Sequence, residues 1–178
     1  MRIIAGIYKN YRFPMYKGDN TRPTTDMVKE SLFGILEGLI DFNQLKVVDI
    51  FAGTGNIGLE FISRNAENVL SIDSSFSNFK YISAVKKELK IKKWDILKLD
   101  AIKFIEQNTD TFDIIFADPP YDYPLIHNFV NSVLDSELFN KKTCYFILEH
   151  IDRLKFEHKC LFLKKDYGNT CFSIFKSK

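Results

Sequence analysis

From residue 45 onward the chain alternates short apolar runs with stretches of helical periodicity, and this alternation restricts the fold more than any other feature. The runs at 46–50, 68–72, 94–99, 113–117 and 143–148 are of strand length and nearly continuous in apolar character. A strand with one wet face alternates apolar and polar side chains, so unbroken runs predict strands covered on both faces. The segments between them, about 55–64, 76–89, 101–107 and 125–134, carry the helical period. The pattern is βαβα, which predicts an α/β fold with a mainly parallel sheet. At the C-terminus, 159–165 and 171–176 flank Asp166-Tyr167-Gly168-Asn169-Thr170 and read as an antiparallel hairpin at the sheet edge.

A chain of 178 residues, 46% apolar, is long enough to bury a core without disulfides or a structural metal. It shows no repeat, low-complexity tract or long linker, so 1–178 reads as a single domain. Within it, 45–178 is the core and 1–44 an N-terminal extension. In that extension Val28, Leu32, Ile35, Leu36 and Leu39 recur at helical spacing, predicting a helix of about four turns from Asp26, with Thr24 or Thr25 as N-cap after Pro23. Before the helix, 2–7 and 11–15 read as a small hairpin. Residues 1–22 hold Arg2, Lys9, Arg12, Lys17 and Arg22 against Asp19 alone, whereas the whole chain carries only +2. A net charge that small excludes a polycation that coats nucleic acid, and leaves a local basic arm, either a solvated ribbon or an RNA-facing one.

Cys144, Cys160 and Cys171 have neither the spacing of a metal clip nor that of a redox pair, and His127, His150 and His158 show no ligand spacing, so no metal is expected. The N-terminus lacks an apolar signal segment and no run reaches membrane length. A soluble, cytoplasmic protein with no membrane partner is expected.

Two motifs carry chemistry. In Asp49-Ile50-Phe51-Ala52-Gly53-Thr54-Gly55-Asn56-Ile57-Gly58, the glycines at 53, 55 and 58 follow a strand and open a helix, and Asp73 ends the next strand 20 residues after Gly53. That context predicts a nucleoside cofactor, with the loop Phe51, Ala52, Gly53, Thr54 and Gly55 around it and Asp73 accepting both ribose hydroxyls. Asp49 would repel a pyrophosphate and attract an ammonium group, which favours S-adenosylmethionine (SAM) over NAD. Asp100 ends the third strand and is read as an acceptor for the adenine amine, a helix N-cap, or both, with Ala101 offering its N–H. The second motif is Asp118-Pro119-Pro120-Tyr121 at the end of the fourth strand. The prolines lack N–H groups and stiffen the turn, so a carboxylate and a carbonyl are presented as paired acceptors for an exocyclic amine, and Tyr121 can stack on its base.

Glycine loop first and Asp-Pro-Pro-Tyr second, the chain resembles the class I SAM-dependent amino-methyltransferases. With Arg22-Pro23-Thr24-Thr25-Asp26-Met27-Val28-Lys29-Glu30-Ser31-Leu32-Phe33, Ser63-Arg64, Leu148-Glu149-His150, Tyr167-Gly168-Asn169-Thr170 and the opening at 1–6, it is similar over nearly its whole length to the ribosomal RNA small-subunit methyltransferase D family. The resemblance implies a seven-stranded Rossmann-like sheet, SAM as methyl donor, and a guanine N2 of 16S rRNA in the assembling small subunit as substrate. It implies that Asp49, Gly53, Gly55, Asp73 and Asp100 bind SAM and that Asp118 to Tyr121 form the catalytic turn. Arg2, Arg12, Arg22, Thr24 and Tyr121 are then the candidate RNA contacts, and a monomer is expected. Ala5 and Asn65 stand where the family usually has glycine. Two other readings remain at this level: an amino-methyltransferase of another nucleic acid, acting on adenine N6 or cytosine N4, and a non-enzymatic RNA-binding assembly factor on the same fold.

Overall fold

A computed structural model describes residues 1–16 and 26–178. In chain order the elements are α1 (Asp26–Glu37), β1 (Lys46–Ile50), α2 (Asn56–Ser63), β2 (Asn68–Asp73), α3 (Phe76–Glu88), β3 (Trp94–Lys98), α4 (Ala101–Gln107), β4 (Ile114–Ala117), α5 (Ile126–Leu134), a 3-10 turn (Glu137–Phe139), β5 (Tyr145–Ile151), β6 (Leu161–Tyr167) and β7 (Thr170–Lys176). The seven strands form one Rossmann-like sheet in the order β3-β2-β1-β4-β5-β7-β6. β1 to β5 are parallel, and β7 lies antiparallel between β5 and the edge strand β6.

The strands alternate their side chains between two cores. Val47, Ile114 and Ile147 pack with Leu32, Phe33 and Leu36 of α1, Phe61 of α2 and Ile82 of α3. Val48, Ile115 and Phe146 pack with Phe104 and Ile105 of α4 and Phe129 and Val133 of α5. Helices on both faces explain why these strands read as apolar runs.

Three expectations change in detail. The C-terminal turn is tighter than five residues, because Gly168 takes φ +64° and lets Tyr167 pair directly with Thr170 across two residues. Helix α1 spans 12 residues, little more than three turns; the expected caps Thr24 and Thr25 lie outside the described residues. The N-terminal hairpin is reduced to a single bridge, Arg2 to Arg12, with Ile3 N–H donating to Tyr11 O and Asn10 N–H to Ile3 O.

The rest of the arm is not a solvated ribbon. Ile4 and Ala5 donate their amides to the Glu60 carboxylate of α2 at 2.8 and 3.1 Å, and Ile7 N–H donates to Ser63 O at 2.8 Å. Ile3 is fully buried in the same core as α1 and α2. Gly6, at φ +80°, sits so close to α2 that a Cβ there would lie 1.8 Å from Ser63 O. Asn65 also takes a left-handed backbone, φ +77°, which asparagine is one of the few side chains to tolerate.

Candidate active site at the crossover between β1 and β4

After β1 the chain runs outward through β2 and β3, then returns to place β4 on the other side of β1. Such a reversal opens a crevice at the carboxyl ends of the two central strands, where ligands bind in open α/β sheets. Both motifs end there. Ile50 is paired with Ala117, and Asp118 N–H donates to Ile50 O at 3.4 Å.

The glycine loop is held from three sides. Phe51, Gly53 and Gly55 have φ of +63°, +56° and +74°. Gly53 N–H donates to Asp73 Oδ2 at 2.8 Å, and Ala52 N–H to Ile72 O at 2.9 Å. Beneath the loop Trp94 is fully buried, its Nε1 donating to Ser71 Oγ at 2.9 Å, and a Cβ on Gly55 would come within 2.7 Å of its ring. On the open side, a Cβ on Gly53 would meet only Phe51 O, at 4.0 Å. The loop therefore packs tightly inward and leaves a bare cradle outward, which fits a flat ligand against the backbone. Phe51 is also the link to the second motif: its ring lies 5.2 Å from that of Tyr123 and 5.3 Å from that of Phe129.

Asp73 is busier than expected. Besides Gly53 N–H it accepts Ser75 N–H at 2.8 Å on Oδ1 and Asn78 Nδ2 at 3.0 Å on Oδ2. A carboxylate has about four acceptor sites, so roughly one remains for a ribose hydroxyl where two had been expected. Asp100 accepts Ile102 N–H and Lys103 N–H on Oδ1, which makes it the N-cap of α4, and Ala101 is buried in the first turn. Thr54 is buried, its hydroxyl 3.6 Å from Met1 Sδ.

Asp49 requires a correction. Its side chain is 1% exposed and accepts Gly58 N–H at 3.1 Å, so it faces α2 rather than the crevice. Burial, together with the nearby Asp118 and Asp73 carboxylates, pushes its pKa up to about 8. Asp49 thus positions the start of α2, and burial works against the charge by which it was expected to attract an ammonium-bearing cofactor. Period two along β1 was the available signal: Asp49 shares a face with Val47, the face that α2 covers.

The second motif presents acceptors. Among the described residues no donor reaches the half-buried Asp118 carboxylate, and burial pushes its pKa up to about 7. The Pro120 carbonyl is occupied by Tyr123 N–H at 2.8 Å, whereas no described donor reaches that of Pro119. Pro119 is buried and stiffens the turn, and Tyr121 is 42% exposed.

Of the basic candidates, Arg2 is engaged with α1: Nε lies 3.1 Å from Asp26 and Nη2 3.8 Å from Glu30. Arg12 is exposed with no partner among the described residues. Arg22 and Thr24 lie outside them. Sequence reasoning missed Asn78, Tyr16 and Tyr123. The Tyr16 hydroxyl donates to Asn78 Oδ1, and its ring packs edge-on to Tyr81 at 4.9 Å, so the arm borders the Asp73 corner. Nothing local in the sequence signals a contact across 62 residues. Tyr123, two residues after the motif, was readable as part of the turn.

The model of the family described as conserved hypothetical protein 95 matches residues 1–176. Ribosomal RNA small subunit methyltransferase D of Haemophilus influenzae is 27% identical over 188 residues, covering 99% of this chain and 94% of that protein. The protein of the same name from Escherichia coli K12 is 31% identical over 136 residues, covering 76% of this chain and 68% of its own. Among solved structures, yhhF from Escherichia coli matches with a TM-score of 0.85 at 25% identity, over 99% of this chain and 97% of that one.

Proposed function

The chain belongs to the conserved hypothetical protein 95 family, and from that premise we propose that it is a SAM-dependent methyltransferase acting on the exocyclic N2 of a guanine in 16S rRNA of the assembling small subunit. The observation that carries the reading is Asp118. A half-buried carboxyl with no described donor, next to the unfilled Pro119 carbonyl, is an acceptor pair waiting for an amine. The relatives named for small-subunit rRNA methylation supply the substrate class.

In this reading the bare face at Gly53, the remaining acceptor site of Asp73 and the start of α4 at Asp100 and Ala101 would hold SAM. When bound, SAM supplies a methyl group activated by its sulfonium. Asp118 and the Pro119 carbonyl accept the two N2 hydrogens, which directs the nitrogen lone pair toward the methyl carbon. The buried Pro119 and Phe51–Tyr123 packing fix that geometry, so much of the rate comes from alignment. Methylation at N2 has to release one N2 proton, and Asp118, with a pKa pushed up to about 7, would take it. Tyr121, exposed at the rim, stacks on the extruded base. The enzyme works in the cytoplasm as a monomer.

The test is single-turnover transfer of labelled methyl from SAM to small-subunit particles from cells lacking this gene, followed by nucleoside mass spectrometry. N2-methylguanosine in 16S rRNA is expected. Label at adenine N6 or cytosine N4 would reassign the base, and no transfer to any particle would favour a non-enzymatic assembly factor.

A further inference from the structure

Residues 80–98 contain seven lysines against Glu88 and Asp95, a larger basic excess than that of the N-terminal arm. On the sequence alone Lys86, Lys87, Lys90, Lys92 and Lys93 read as a solvated helix end, with RNA-facing charge as the alternative. The fold gives them a common surface, because α3 packs along β3, the edge strand of the sheet. Between the two runs lies a groove of about 520 Å³, floored by Phe79, Ile91 and Ile96 and rimmed by Lys90, Lys92 and the Lys86–Asp95 ion pair, 3.7 Å apart. Lys87, Lys90 and Lys92 are exposed, with no acidic partner among the described residues.

From the groove, stacked rings lead along α3 to the Asp73 corner. Phe79 stacks on Phe76, with rings 6.3 Å apart and 10° from parallel. Phe76 is 53% exposed and flanked by Lys80 and Lys98, whose ammonium groups lie 4.5 and 5.4 Å from its ring centre. It opens α3, directly after the Ser75 cap that is bonded to Asp73. The arm joins from the other side, Tyr81 donating to Pro14 O at 2.7 Å and Tyr11 to Glu88 at 3.3 Å. That contact brings the two basic segments of the chain together.

Aromatic faces interleaved with unpaired lysines suit a single strand of nucleic acid, whose bases stack on the rings while lysines meet phosphates; a duplex keeps its bases stacked on each other. We propose that the α3–β3 edge, from Lys92 to Phe76, is a docking track for single-stranded RNA that leads toward Asp118. RNA is chosen here on the strength of the rRNA methyltransferase reading. Lysines also protect an edge strand from pairing with other chains. That role is kept by any charge, so reversing the charge separates the two.

The test uses the full chain and a labelled single-stranded uridine 20-mer, with affinity measured across a range of salt. The variant Lys87→Glu/Lys90→Glu/Lys92→Glu, with the glutamine triple as a milder second, is compared with the parent. Each lost phosphate contact lowers the slope of log affinity against log salt by about 0.7, so the glutamate triple is expected to lose about 2 in slope. Phe76→Ala is expected to weaken RNA binding about tenfold with SAM affinity unchanged. An unchanged slope in both triples, or a Phe76→Ala effect on SAM alone, overturns the track, as does a parent that does not bind the 20-mer. Methyl transfer to particles is scored separately. A lost slope with no transfer keeps the track and removes the proposed substrate, and transfer with an unchanged slope does the reverse.

Discussion

The Lys29 ammonium lies 3.1 Å from the Glu60 carboxylate, and neither side chain has any exposed surface. Around the pair, Lys29 also donates to Arg2 O at 2.6 Å and Asn56 Oδ1 at 2.8 Å, and Glu60 accepts Arg64 Nε at 3.0 Å. The arm, α1 and the first turn of α2 therefore share one buried charged junction, next to the glycine loop.

Removing one partner of a buried ion pair leaves the other charge uncompensated, at a cost of about 3–5 kcal/mol. Glu60→Gln abandons two cations and is expected to reach that range. Lys29→Met leaves Glu60 with Arg64 and is expected to cost less. Urea unfolding ranks the two, and amide exchange at Ile4 and Ala5 should accelerate in Glu60→Gln. The opposite ranking would make Lys29, not Glu60, the anchor of the arm.

The same junction means that the arm cannot be removed cleanly. Deleting residues 1–21 strips Ile3 from the core and the amides of Ile4 and Ala5 from Glu60. The deletion is expected to lower the melting temperature and, through Asn56 and the loop, to weaken SAM binding as well. Gly6→Ala is the point version: a Cβ 1.8 Å from a backbone oxygen at φ +80° forces the arm away from α2, at about 1–3 kcal/mol. A variant that melts like the parent would show that the arm tolerates detachment.

The strands and helices were legible because each βα unit is covered on both faces, so apolar runs and helical periods mark them directly. The glycine loop and Asp118 turn were legible because their residue types are required by backbone geometry and by acceptor chemistry. What was not legible depends on long-range contact. Arg2 looks like a free cation until α1 brings Asp26 beside it, and Glu60 looks like a surface acid on an amphipathic helix until the arm and Lys29 cover it. The crossover order of the sheet, which brings Asp118 to Ile50, is likewise a property of the whole chain.

Trp94 is the chain's single tryptophan and packs against Gly55, so its fluorescence reports on the loop. SAM titration is expected to change that emission in a saturable way. Gly55→Ala, with a Cβ 2.7 Å from the indole and an unfavourable left-handed backbone, should shift the emission before any SAM is added and abolish the titration. A parent-like titration would mean that the cofactor does not use this loop.

Asp73→Ala removes a charge-assisted acceptor for the ribose together with the tether of Gly53. One such hydrogen bond contributes about 1.5–3 kcal/mol, so SAM affinity should fall roughly ten- to a hundredfold by calorimetry. Asp73→Asn keeps an oxygen that can hold one of the amides and should fall between. Parent-like affinity in the alanine variant would take Asp73 out of the site.

Asp118 ties stability to activity through pH. Its folded pKa is pushed up to about 7 and that of Asp49 to about 8, against about 3.9 for an unfolded aspartate. Between those limits the folded protein holds protons that the unfolded chain has released, so stability falls as pH rises from about 4 to about 8. Asp118→Asn cannot ionise and is expected to melt higher than the parent at pH 8, by about 2–4 °C for each kcal/mol relieved, with little difference at pH 4. Activity should move the other way. If the ionised carboxylate aligns the amine and takes its proton, the parent's single-turnover rate rises through about pH 7 and levels off. Asp118→Asn should lose about 10²–10³ in rate, as when one preorganised contact to developing charge is removed, and should lose the pH rise with it. A variant that is both faster and more stable at pH 8 would show that Asp118 is a buried acid with no part in transfer.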